Sequence, residues 1–376
     1  MKPASGVERE QVAETRLLGR LKDVLRTITE VPAPPFGEGA RSDTVAALWR
    51  ELGLAVEVDE LGDVIAELPG GEGPRVLLAA HLDTVFPSGT DVRVRELDDG
   101  RWAAPGVADD GAGLAVLTVL AEEVVAGRVG RRPRLLLAAT VGEEGLGDLR
   151  GARRVVTDHG DRVDMFVAVD GGLGQVVPEA VGSRRIEARF LGRGGHAWGD
   201  RGAPSAVHAM GDAIHALSRL PLPAEPASSL NVGLAAGGSS VNAIAERASL
   251  TVDLRSVDPR VLVLLVDRLE QRLRSVARRH RVELELETVG DRPAGRTADE
   301  RLVAAARAAL KRVGVEPKVA AGSTDANAAV AAGVPAIGFG VGRGGDAHRA
   351  SEWLDPASLS VGWRALTHLL EELARR

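Results

Sequence analysis

Four near-continuous apolar runs constrain this chain most, because each ends at a group able to hold a metal ion or leads by a glycine-rich loop to one. RVLLAA (75–80) runs into His81-Leu82-Asp83, and RLLLAATV (134–141) into Gly142-Glu143-Glu144. MFVAV (165–169) runs into Asp170-Gly171-Gly172, and PAIGFGV (335–341) leads on to His348. Runs with no polar face suit strands covered on both sides. Helical stretches at Leu114–Val125 and Ala326–Ala332 alternate with them. The expected fold is therefore α/β, a mostly parallel sheet sandwiched by helices. Ahead of these runs, Leu17, Leu18, Leu21, Val24 and Leu25 recur at helical spacing within Gln11–Glu30. A Pro/Gly-rich loop follows to Gly39, and Asp43–Leu52 reads as a second helix.

The middle of the chain has another pattern. Arg184–Gly192, Ser229–Ala235, Ser249–Val257 and Arg281–Val289 read as strands, the last alternating strictly. Pro204–Leu220 and Pro259–His280 read as helices, the first with Val207, Met210, Ile214 and Leu217 on one stripe. The order β-α-β-β-α-β is that of a ferredoxin-like split unit. The expected division is a catalytic domain of residues 1–180 and 293–376, with an α+β domain of residues 181–292 inserted.

Acids and imidazoles at the ends of buried strands point to a cation, since desolvating them is costly without a compensating charge. In open α/β sheets ligands bind at the carboxyl ends of the strands. Gly106-Val107-Ala108-Asp109-Asp110-Gly111, a loop opening a helix, lies between the first two runs. Singly, each piece has an ordinary explanation: a polar strand end, dipole compensation at a helix start, a turn. Five such pieces at one sheet edge do not. The chain has no cysteine, so disulfides and thiolate ligands are excluded and any metal sits on His, Asp and Glu. Imidazoles with carboxylates suit Zn²⁺, with Co²⁺ or Mn²⁺ as alternatives. Two histidines and three or more carboxylates exceed one tetrahedral site, so two ions about 3.5–4 Å apart are expected. Glu143 and Glu144 project apart, so one can ligate while the other takes a proton from water.

At these residues the chain resembles the di-zinc exopeptidase and deacylase family of peptidase T, carboxypeptidase G, aminoacylase and acetylornithine deacetylase. The matching segments include HLDTVFP (81–87), GVADDGAG (106–113), TVGEEG (140–145), VDGG (169–172), GGHAWG (194–199), NAIAERASLTVDLRS (242–256), GDRPAG (290–295), GSTDANAA (322–329) and DAHRASEWLD (346–355). They follow the family order along nearly the whole chain. The resemblance implies that His81 and Asp170 hold one zinc, Glu144 and His348 the other, and Asp109 bridges them. It makes Glu143 the general base and acid, and Asp83 the partner that orients His81. It makes the inserted domain a lid and dimerisation domain whose His196 reaches the partner subunit's active site to stabilise the oxyanion. Asn242, Arg255 and Arg292 match its substrate-binding positions. The family's lysine after the paired aspartates is Gly111 here. The VDGG form is nearer to peptidase T-like members.

The expected function is thus a cytoplasmic di-zinc metallohydrolase that cleaves a terminal peptide bond in small peptides, acting as a homodimer through the inserted domain. Two alternatives stand beside it: an N-acyl-amino-acid deacylase using the same site, and a metal-poor amino-acid or peptide binding protein. The net charge of −6 argues against nucleic-acid partners, and no apolar run approaches a membrane span. The polar N-terminus (MKPASGVERE) supports the cytoplasmic expectation. His208 and His215 read as solvated, His159, His280 and His368 as ordinary polar positions, and Asp325 as a loop-fixing carboxylate. No Gly-x-Ser-x-Gly elbow is present to suggest a serine hydrolase.

Overall fold

The computed structural model describes residues 6–375; Met1–Ser5, part of the polar segment behind the cytoplasmic expectation, lie outside the described residues. The chain divides into two compact units, one of Met1–Ala180 with Arg296–Arg376, the other of Val181–Gly295. The larger unit begins with α1 (Gly6–Thr29), α2 (Gly39–Glu51), β1 (Val56–Val58), β2 (Val64–Glu67) and β3 (Arg75–His81). It continues with α3 (Gly111–Val125), β4 (Arg134–Thr140), α4 (Arg150–His159), β5 (Met165–Ala168) and β6 (Gln175–Ala180). The smaller unit contributes β7 (Gly182–Leu191), α5 (Ala206–Leu217), β8 (Ser228–Gly237), β9 (Arg247–Ser256), α6 (Pro259–His280) and β10 (Glu283–Arg292). The larger unit resumes with α7 (Glu300–Arg312), β11 (Lys318–Gly322), α8 (Ala326–Ala331), β12 (Ala336–Phe339) and α9 (Ser358–Leu373).

In the larger unit the strands run β1-β2-β4-β3-β5-β12-β6, with β11 beside β6. β3 pairs in parallel with β4 and with β5, and β5 with β12. The four apolar runs are therefore four adjacent strands at the sheet's centre. Along β3, Val76, Leu78 and Ala80 face the core shared with α1, α2, α3, α7 and α9, while Leu77 and Ala79 face α4 and α8. Both faces are covered, which is why the runs carry no polar alternation. α3 is buried almost all round, wedged between β3 and its helical neighbours α1, α2 and α9. Each fully buried Leu here contributes about 1.5–3 kcal/mol of burial.

In the smaller unit the strand order is β8-β9-β7-β10, every neighbour antiparallel, with α5 and α6 on one face. Asp258 caps α6 by accepting the Arg260 and Val261 N–H groups, and Pro259 occupies the first turn. Leu262, Leu265, Leu269, Leu273 and Val276 then form its buried stripe. The stripe of α5 differs from the sequence reading. Its deepest line is Ala206, Ala209, Ala213 and Leu217, and Val207, Met210 and Ile214 flank it half-buried. Alanines let the helix approach the sheet, and the larger side chains pack at the sides.

Candidate metal centre

The strand register gathers the site. β3 and β4 pair His81 with Thr140, and β3 and β5 pair Ala79 with Ala168. His81, the turn at 142–144 and Asp170 therefore emerge together at the carboxyl ends of three parallel strands. Asp109 comes from the loop before α3, and its neighbour Asp110 caps that helix by accepting the Gly113 N–H at 2.9 Å. A side chain at Gly113 would place a Cβ 2.1 Å from the Val169 carbonyl, so glycine permits the helix start to sit against the end of β5. His348 lies in a loop between Arg343–Gly345 and Trp353–Asp355, two strands of a small sheet completed by Trp102–Ala103 and Arg95–Glu96.

The side chains converge. His81 Nε2 is 2.9 Å from Asp109 Oδ1. His348 Nε2 is 3.1 Å from Asp109 Oδ2 and 2.8 Å from Glu144 Oε1. The two oxygens of Asp109 thus face two different imidazoles. Donor atoms of His81, Asp109 and Glu144, and those of His81, Asp110 and Asp170, lie within 4.8 Å of one another. Asp110 was not singled out in the sequence. Its oxygens accept the Gly113 and His81 backbone N–H groups, so it acts as a helix cap and strand-end anchor.

Asp83 departs from the simple picture of a carboxylate on His81. The His81 Nδ1–H donates to the Asp83 backbone carbonyl at 2.9 Å, while the nearest Asp83 carboxylate oxygen is 3.7 Å away. That carboxylate accepts the Glu143 N–H at 2.9 Å and the Glu144 N–H at 2.8 Å. Two buried donors of a tight turn need an acceptor, and the carboxylate supplies one oxygen to each. The imidazole is oriented all the same, with Nε2 left to face Asp109. Two further groups escaped the sequence reading. Glu352, fully buried, accepts N–H groups from the loop that bears Asp109. Arg41, also fully buried, donates to the carbonyls of Thr29, Val31 and Leu82. Asp325 accepts the Thr140 hydroxyl at the end of β4, a loop-fixing position.

The electrostatics call for positive charge. Burial, with repulsion from Asp109 and Glu144, pushes the Asp170 carboxyl up to about 7 against the opposing pull of His81. Hydrogen bonds to Asp109 and Glu144 push His348 up to about 10. Burial alone would lower His81, yet the hydrogen bond and charge of Asp109, with Asp110 and Asp83, carry it well above its ordinary value. Carboxylates crowded this closely favour positive charge among them. The donor set, imidazole nitrogens with carboxylate oxygens, fits divalent ions such as zinc.

The remaining candidates lie in the smaller unit. His196 is exposed, and its Nδ1 accepts the Trp198 and Gly199 N–H groups at 3.2 and 3.1 Å, which leaves Nε2 to carry a proton outward. Asn242 is its neighbour, its carbonyl accepting the Ala197 N–H. Arg255 and Arg292 both stand opposite Ser183, one on β9 and one on β10, so they share a sheet face. Ser183 is the second residue of β7 and Leu191 the last, which puts the arginine pair about 25 Å along the sheet from the His196 end. The unit does not bring these four residues together on one small ligand.

This fold and site define an α/β protein with a candidate centre for metal ions. A family model, Peptidase family M20/M25/M40, matches residues 77–372, and the chain belongs to that family. The YqjE protein of Bacillus subtilis, of uncharacterised function, is 25% identical over 86% of this chain and 90% of its own length. A succinyl-diaminopimelate desuccinylase of Alkalilimnicola ehrlichii is 26% identical over 88% and 92%. Among solved structures, a tripeptidase from Staphylococcus aureus superposes with a TM-score of 0.81 over 96% of this chain and 99% of its own, at 24% identity. A dinuclear metal-binding M20 peptidase of Bacillus subtilis gives 0.69 over 96% and 99%, at 18% identity.

Proposed function

We propose that the protein is a cytoplasmic di-zinc exopeptidase acting on a terminal peptide bond of small peptides. The observation that carries this is Asp109, whose two carboxylate oxygens each face a different histidine. That arrangement suits a carboxylate shared by two ions, with His81 and Asp170 completing one and Glu144 and His348 the other. Ions bound there would supply Lewis acidity and lower the pKa of a water at the site. Glu143 takes the proton of the attacking water on its carboxylate and delivers it to the leaving amine. His196, with its proton on Nε2, donates to the developing oxyanion. Arg255 and Arg292 suit a substrate carboxylate through their planar forks. The tripeptidase likeness favours peptides. The desuccinylase relative keeps a second reading, N-acyl-amino-acid deacylation at the same site, in view.

The same reading makes the protein a homodimer. The outer edge of β10 carries exposed Glu283, Glu285 and Glu287, which oppose pairing. The outer edge of β8 carries no charge from residue 227 to 245 and exposes Leu234. Pairing of β8 with its copy would supply the second subunit that a His196 acting in trans requires. Elemental analysis of the purified protein, with activity on dipeptides, tripeptides and acyl amino acids before and after chelation, tests the assignment. About two zinc ions per chain with chelator-sensitive release of amino acids is expected. Two ions with acyl turnover alone would replace it by the deacylase reading, and failure to take up metal on reconstitution would remove both.

A further inference from the structure

We propose that Glu352 is a positioning residue for the carboxylate of Asp109, a role that rests on the two-ion reading above. The Glu352 side chain is fully buried, and its two oxygens accept three N–H groups from one short loop. Oε2 takes Gly106 at 3.0 Å, and Oε1 takes Ala108 at 2.8 Å and Asp109 at 3.0 Å. Its backbone carbonyl also accepts the Ala104 N–H at 3.1 Å. The loop that presents Asp109 is thus fastened at four points to one residue distant in sequence. That residue also closes the turn bearing His348. The Glu352 N–H donates to Arg349, and the Arg349 N–H to Asp346, each at 3.0 Å. Asp346 and His348 hold left-handed backbone, φ 57° and 66°, within this turn.

Glu352 therefore ties together the two loops whose side chains meet at 3.1 Å between His348 and Asp109. A shared carboxylate must satisfy two partners at once, so its peptide plane tolerates little drift. The three amides converge on Glu352 from one short loop, and only an acceptor-only group with two oxygens meets all of them. Glutamine at 352 would retain one oxygen and turn an NH₂ toward at least one amide. Alanine would leave three buried donors without a partner.

The full-length protein, stripped of metal, is titrated with Co²⁺ by calorimetry and visible absorption, alongside Glu352→Gln and Glu352→Ala. Amide hydrogen exchange of segment 104–110 is followed in the metal-free state, and circular dichroism checks the fold. The unsubstituted protein should take up two Co²⁺. Glu352→Ala should keep the first and bind the second about 10–100-fold more weakly, with Glu352→Gln between the two. Exchange at 104–110 should quicken in the same order. Unchanged second-ion affinity and spectrum in both variants would overturn the role, as would unchanged exchange. If Glu352→Ala does not fold, Glu352→Gln alone decides, and unaltered cobalt affinity in it is the overturning result. No cobalt uptake by the unsubstituted protein would instead reject the two-ion reading. Quickened exchange without metal binding would leave a loop clamp with no ion to serve, which also overturns the role as stated.

Discussion

Glu143 and Glu144 are sequence neighbours whose backbones hang from one carboxylate, Asp83, and whose proposed tasks differ. Replacing Glu143 by Gln keeps the shape but exchanges one acceptor oxygen for an NH₂ and removes the base. The expected outcome is a fall in kcat of about 10²–10⁴-fold with metal content unchanged by elemental analysis. A variant with near-normal turnover would remove Glu143 from the mechanism. Asp63 offers a test away from the ligands. It is fully buried just before β2, accepts the Val141 N–H at 2.7 Å, and burial with repulsion from Asp59 and Asp325 pushes it up to about 8. The folded chain then holds a proton that the unfolded chain releases above its ordinary value of 3.8. Between those values the native state binds more protons, so this contribution to stability falls as pH rises through the window. Asp63→Asn keeps the acceptor and loses the titration. Urea unfolding at pH 5, 6.5 and 8 should show the variant gaining on the parent by up to about 1.4 kcal/mol per pH unit. A pH-independent difference would mean that Asp63 stays ionised.

At the scale of elements, the fit of α5 to its sheet is set by alanine. Ala213→Leu forces added volume between helix and sheet and should cost about 1–3 kcal/mol in thermal or urea unfolding. His208→Leu, on the exposed side of the same helix, should stay within about 0.5 kcal/mol. Equal effects at both positions would contradict the close approach. The same helix shows where sequence reading reaches its limit. Period alone picked out Val207, Met210 and Ile214, because hydrophobicity marks size and not depth. The centre strands β3, β4, β5 and β12 were legible because burial on both faces leaves an unbroken apolar run. The edge strands β1 (VEV) and β11 (KVAAG) were not, being short and half solvated. At the site, residues at strand ends stood out, since an acid after an apolar run is conspicuous. Asp110, Arg41 and Glu352 did not. Their work is done on backbone groups, and for Glu352 those groups lie some 240 residues away, where no local pattern records the pairing.

At the scale of the whole molecule, the proposed use of His196 in trans is a statement about two chains, so it is tested with two chains. Glu143→Gln and His196→Ala each disable one part of the site. If each site takes Glu143 from one subunit and His196 from the other, a mixed dimer contains one doubly defective site and one intact site. Each variant alone should then be nearly inactive. Co-expressed and randomly paired, half the dimers are mixed, and activity should return to about a quarter of that of the unsubstituted protein. Size-exclusion chromatography with light scattering establishes the dimer in each sample. If His196 acts within its own chain, the mixed dimer holds one site lacking Glu143 and one lacking His196, and no activity returns. A full-activity monomer would remove the trans role directly. The uncharged edge of β8 gives the experiment its structural control. A Leu234→Lys substitution places charge on that exposed edge, and it should weaken dimerisation and lower activity together, although Leu234 belongs to none of the proposed ligands. Loss of the dimer with activity retained would separate assembly from catalysis and return His196 to its own subunit.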